Sequence, residues 1–176
     1  FSTWSAVGIL PLSLAFGYPV MEEFLDGGRD ADLHFLHTEP DGNIPMILGA
    51  LSIDNIESGR NVRAILPYSQ ALNRFPAHIQ QLEMESNGKS IDKDGCRVEK
   101  TGEIILGEPG TNAQHSFYQL LHQGTSIIPC EFIGFCKQRY NHQVADNTIT
   151  NHDELMCNVF AQMDALAFGK NRDELL

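Results

Sequence analysis

Two stretches of the chain hold residues of a type that could move protons. In QQLEMESNGKS, residues 80–90, Glu85 falls where a helical pattern stops at Asn87-Gly88. Exposed carbonyls make a helix C-terminus partly negative, so a carboxylate there is disfavoured by about 0.3–1 kcal/mol. A carboxylate whose charge is discouraged suits a general base for carbon-bound protons, provided that a dry cleft adds to the effect. Glu85 lies one turn after Gln81 and beside an apolar stripe of Leu72, Phe75, Ile79 and Leu82. An ion pair with Lys89, four residues on, accounts for the same spacing equally well.

The second stretch is GEPGTNAQHSFYQLLHQG, residues 107–124. It reads as one helix, stopped by glycine. Thr111 and Gln114 have capping-box spacing, with Asn112 as a competing N-cap. On a helical wheel Ala113, Phe117, Leu120 and Leu121 share one side. His115 and Gln119 lie on the other, flanked by Tyr118 and His122. His115 therefore points away from its own helix's core, either into a solvent-facing polar stripe or toward a cleft or a neighbouring subunit. The positive start of a helix favours a neutral imidazole, ready to exchange a proton. His34 and His37 stand three apart, but no carboxylate or cysteine completes a ligand set, so no metal site is expected. GEPG and SNGKS share only composition with phosphate loops and read as turns.

The elements that must hold these residues change character along the chain. The first third reads as helices: SAVGILPLSLAF, then VMEEFL ending at Gly27-Gly28, then IPMILGALSI after the turn PDGN. Beyond it, VRAILPY, EIILGEP and SIIPCEFIGF read as strands. A helix follows each of them, and Pro76 either kinks the first or starts its second half. TNHDELMCNVFAQMDALAFGK is the long last helix. Strands alternating with helices imply parallel pairing through right-handed crossovers, a layered α/β domain whose ligands gather beyond the carboxyl ends of the strands.

The totals narrow the function. Twelve basic residues against 23 acidic ones give a net charge of −11, which excludes a nucleic-acid footprint and opposes docking on an anionic membrane. Cys96, Cys130, Cys136 and Cys157 have no CxxC spacing and read as reduced, cytosolic thiols. No charge occurs in residues 1–21, but Pro11, Gly8 and three serines dilute that run, which reads as a buried helix rather than a membrane span. The start at Phe1 and the end at RDELL, within a helical pattern, suggest an internal piece of a longer soluble protein.

LEMESNGK, GEPGTNAQHSFYQLLHQG, RAILPYSQALNRFPAHIQQ and NHDELMCNVFAQMDALAFGK together resemble the glucose-6-phosphate isomerase (phosphoglucose isomerase) family, with the closest likeness to bacterial-type members. The likeness runs from the first residue nearly to the last. It implies two flavodoxin-like sugar-isomerase (SIS) domains, with residues 1–50 closing the first and connecting to the second, and residues 51–176 forming most of the second.

It also implies a cytoplasmic enzyme of glycolysis and gluconeogenesis that interconverts glucose 6-phosphate and fructose 6-phosphate through a cis-enediol, with no cofactor or metal. Glu85 takes the position of the base that moves a proton between C1 and C2. His115 takes that of the ring-opening histidine, lent by the partner in a homodimer with a shared active site. Gln81 matches a sugar-contacting glutamine. Ala113 replaces a glycine common in the family, which a helix tolerates.

The family's phosphate loop and enediolate-stabilising arginine belong upstream, and a ring-opening lysine downstream, so this piece alone is expected to turn over little or nothing. A non-catalytic phosphosugar-sensing SIS module is the alternative. Keeping both Glu85 and His115 in matching contexts speaks against it.

Overall fold

The computed structural model describes residues 2–138, 149–170 and 172–175. The chain divides into two compact units, Phe1–Asp54 and Asn55–Leu176.

The first unit is helical. Helix α1 (Ala6–Phe16) is capped by the Ser5 hydroxyl, which accepts from the Val7 N–H, and it runs through Pro11 without a break. Helix α2 spans Tyr18–His37. The expected stop at Gly27-Gly28 does not occur, because the following residues are good helix formers and each glycine costs only about 1 kcal/mol. Gly28 has a packing role: a Cβ there would lie 2.6 Å from the Trp4 ring, which stacks on Phe24.

Buried Asn43 precedes α3 (Ile44–Glu57). Its amide donates to the Phe35 and Thr38 carbonyls, and its oxygen accepts from the Met46 N–H. His34 spends both ring nitrogens on the same junction. Nε2 accepts from the Ile44 N–H at 3.2 Å, which leaves Nδ1–H to donate to Thr38 Oγ1 at 3.1 Å. His34 thus serves structure, and no cluster of potential metal ligands occurs among the described residues. Nor is any helix among them long and apolar enough to cross a membrane.

The second unit is built on a parallel sheet. Strands β1 (Val62–Pro67), β2 (Ile104–Gly107) and β3 (Cys130–Ile133) are ordered β2-β1-β3, with Ala64 opposite both Leu106 and Cys130. Alternation along β1 divides its side chains between two faces. On one face Ala64, Leu66 and Tyr68 form a core with Ala113, Tyr118 and Val159.

Those last three residues come from α5 (Gly110–Ala113), α6 (Tyr118–Gln123) and α7 (Asn151–Phe168). Helix α7 starts with a reciprocal capping box between Thr150 and Asp153. A short helix, α8 (Arg172–Leu175), follows it. On the opposite face lies α4 (Phe75–Gln80), close enough that a Cβ on Gly107 would come within 2.8 Å of Pro76. Pro76 opens this helix, and residues upstream of it form only a 3-10 turn, Gln70–Leu72.

The four cysteines are free thiols. Burial pushes the Cys130 thiol up to about 11 from its ordinary 9.0.

A charged cluster crosses the sheet near its amino end. Arg63 on β1 places Nε 3.0 Å from Oε2 of Glu103, which is 1% exposed, and donates through Nη1 to Glu131 on β3. Removing the guanidinium would leave a carboxylate buried without its cation, a loss worth about 3–5 kcal/mol. Arg63→Met is therefore expected to lower unfolding free energy by about that amount in the full-length protein, read from the midpoint of urea denaturation. A change under about 1 kcal/mol would mean that water already compensates the cluster.

Candidate active site

Glu85 is reached through α4, which the structure continues as a π-helical segment, Gln81–Glu85, and two further helical residues. Helix α4 is tied to β2 by Gln80, whose amide donates to the Ile105 carbonyl at 2.9 Å. Apolar periodicity gives no warning of the wider turn that follows. Insertions of this kind recur at functional sites because they re-aim a side chain. Gln81 and Glu85 open and close the widened segment, and both are exposed.

The helix end is fastened by close approach rather than by a left-handed glycine. Gly88 is absent from the positive-φ glycines, but a Cβ on it would sit 2.1 Å from the Met84 carbonyl oxygen. Lys89 does not pair with the Glu85 carboxylate. Its Nζ donates to the Glu85 and Ser86 carbonyls, each at 2.6 Å. The ammonium therefore occupies the negative helix end that the sequence suggested would press on Glu85. No partner for the Glu85 side chain occurs among the described residues.

His115 is reached differently. The expected single helix is two short ones. Helix α5 begins at Gly110 behind Pro109, with no side-chain cap from Thr111 or Asn112, and α6 begins only at Tyr118. Between them a turn holds the chain, with the His115 N–H on the Asn112 carbonyl at 2.9 Å and the Ser116 N–H on Ala113 at 3.0 Å. Phase is lost across the break. Tyr118, placed on the outer side by the wheel, is 3% exposed in the core, whereas Leu120 is 47% exposed. A four-residue helix supplies little macrodipole, so the electrostatic argument for a neutral His115 loses its basis. His115 itself is exposed.

Within one chain these residues stand apart. The Glu85 helix end packs beside the amino end of β2, where the Gly102 N–H donates to the Asn87 carbonyl and a Cβ on Gly102 would meet Asn87 and Glu83. His115 follows the carboxyl end of the same strand. Five residues of extended chain separate Gly102 from Gly107, roughly 16 Å at about 3.3 Å each. The structure therefore joins Gln81 with Glu85 and holds His115 at the opposite rim.

A cavity of 480 Å³ opens beyond β1 and β3, lined by residues that include Ser69, Gln70, Lys137 and His152. Another of 450 Å³ lies against α7. Gln81, Glu85 and His115 line neither.

Parallel strands flanked by helices on both faces form an α/β domain of the type found in sugar isomerases. The match to the phosphoglucose isomerase family covers residues 1–176, and the chain belongs to that family.

Among its relatives are the cytosolic glucose-6-phosphate isomerases of Zea mays and Arabidopsis thaliana, each 54% identical over 99% of this chain. The chain spans 31% of the length of each. A crystal structure of a glucose-6-phosphate isomerase from Chlamydia trachomatis superposes with a TM-score of 0.87 at 41% identity, covering 94% of this chain and 32% of that one. A hypothetical protein from Thermus thermophilus shares the fold, with a TM-score of 0.76 at 22% identity over 93% of this chain and 40% of its own. The likeness thus extends to plant cytosolic as well as bacterial members.

Gly110 is the tightest point on the His115 side, since a Cβ there would lie 2.0 Å from the Tyr68 ring. That ring is buried and has no room to yield. Gly110→Ala is expected to destabilise the full-length protein by about 1–3 kcal/mol, seen as a lower Tm, and to reduce turnover through displacement of the turn. An unchanged Tm would show that the loop absorbs the methyl group freely.

Proposed function

We propose that this chain is part of an enzyme that interconverts glucose 6-phosphate and fructose 6-phosphate by proton transfer through a cis-enediol, a step of glycolysis and gluconeogenesis. Residues 1–50 would close a first SIS domain and residues 51–176 form most of a second. The names of the plant relatives support a cytosolic setting.

One observation carries the reading beyond family membership. Lys89 neutralises main-chain carbonyls, which leaves the Glu85 carboxylate uncommitted at the end of a widened turn, four residues from Gln81. A carboxylate in that state can take the C2 proton of an open-chain aldose, while O1 and O2 exchange their own, and return it to C1. Gln81 on the same segment would hold a sugar hydroxyl.

His115 opens the ring by moving a proton between the ring oxygen and the anomeric hydroxyl. Its place at the far rim of the sheet supports its working on the hexose of a second protomer in a homodimer. Exposure of both groups in the described chain fits a site closed and dried by other polypeptide.

Glu85→Gln in the full-length protein is expected to reduce C1–C2 proton exchange with solvent by at least about 10²-fold while leaving phosphosugar affinity nearly unchanged. Near-normal exchange in that variant would remove Glu85 from the mechanism.

Sharing of the site has its own test. When chains carrying Glu85→Gln and chains carrying His115→Ala are co-expressed, mixed dimers hold one site with both groups intact. Random assortment then restores about a quarter of wild-type activity. Failure of two inactive variants to complement would place both residues in one protomer's site or outside it.

A further inference from the structure

Three residues spaced four apart, Gly110, Gln114 and Tyr118, converge on a single side chain, Tyr68, just past the carboxyl end of β1. Gly110 lies flat against the ring, with the position of an added Cβ 2.0 Å from Cε2 and 2.2 Å from Cζ. Gln114 Nε2 donates to Tyr68 Oη at 3.4 Å, and the Tyr118 and Tyr68 hydroxyls share a hydrogen bond of 3.0 Å. Both tyrosines are buried, at 2% and 3% exposure. His115 stands immediately after Gln114 and three residues before Tyr118, on the interrupted turn that otherwise has only short-range main-chain bonds.

We propose that Tyr68 is a positioning residue for His115, clamping both ends of the turn that presents the imidazole, on the footing that His115 opens the sugar ring. The ring of Tyr68 sets the distance of the turn from the sheet. Its hydroxyl, bonded on both sides of His115, sets the rotation. Burial raises the pKa of the Tyr118 hydroxyl far above its ordinary value, followed in effect by the bond to Tyr68, so the Tyr118 hydroxyl stays neutral across the working pH range. Within this chain the turn that carries His115 is tied to the sheet through Tyr68. Misplacement of a reacting group by about 1 Å can cost 10²-fold in rate.

Ring opening can be read by itself in full-length protein carrying Glu85→Gln, where C1–C2 transfer is removed. The readout is interconversion of the α and β anomers of glucose 6-phosphate, followed by NMR exchange. Adding Tyr68→Phe, which keeps the ring and deletes the hydroxyl, is expected to slow that interconversion by about tenfold or more with phosphosugar affinity held within twofold.

Tyr118→Phe should do the same. The double variant should be no slower than Tyr68→Phe alone, since the only bond Tyr118→Phe removes is already lost with the Tyr68 hydroxyl. Replacing both hydroxyls with apolar groups of like shape should also return Tm toward that of the parent while ring opening stays slow, a split that a merely structural role would not produce.

Interconversion within twofold of the parent in these variants, or a loss that tracks affinity or Tm, overturns the role of Tyr68. His115→Ala in the same background separates the two claims. If it leaves interconversion intact, the ring-opening assignment fails and the clamp has no catalytic object. If it abolishes interconversion while Tyr68→Phe does not, only the clamp fails.

Discussion

The second unit is organised by the central place of β1 between two parallel neighbours. A parallel pair cannot be closed by a hairpin, so each connection must cross the whole length of the sheet. The first crossover runs over one face as α4 and reaches the amino end of β2. The second leaves the carboxyl end of β2 and covers the other face with α5 and α6. A residue late in the first crossover and a residue early in the second are thereby sent to opposite rims. The separation of Glu85 from His115 follows from strand order, whatever their side chains do.

The two rims are built by contrasting means. At the amino rim the helix is widened by one π-helical stretch, stopped against the Met84 carbonyl and held by an ammonium on its last carbonyls. These contacts are local and polar, and they order the main chain while sparing the carboxylate. At the carboxyl rim the hold is a buried ring and two hydroxyls from the core. A carboxylate that stays uncommitted needs a scaffold whose polar needs are met elsewhere. An imidazole that projects outward needs a stiff base.

Much of this was legible in the residues. Short apolar runs rich in isoleucine and valine located all three strands, and their alternation with helices implied parallel pairing. The exposure of Gln119 followed from helical phase, since α6 itself is regular. Phase failed where the helix was interrupted: Tyr118 went to the core because the turn before it re-sets the wheel, and no local composition announces that turn. Gly27-Gly28 looked like a stop because a glycine pair lowers helix propensity, yet contact with Trp4 makes Gly28 useful inside α2. Histidine spacing gave no sign that both nitrogens of His34 are used in the junction before α3. The π-helical segment and the turning of Lys89 to carbonyls depend on tertiary fit and leave no mark in periodicity.

The guanidinium of Arg63 touches carboxylates contributed from either side of its own strand. Sliding either neighbour along β1 by a single residue would turn its carboxylate to the other face and break its pairing with Arg63, at greatest cost for the fully buried Glu103. Apolar strands of similar sequence have little to distinguish one alignment from the next, whereas a charge with two designated partners penalises every wrong one. Arg63 thus ties the alignment of both neighbouring strands to a single charge on the central one.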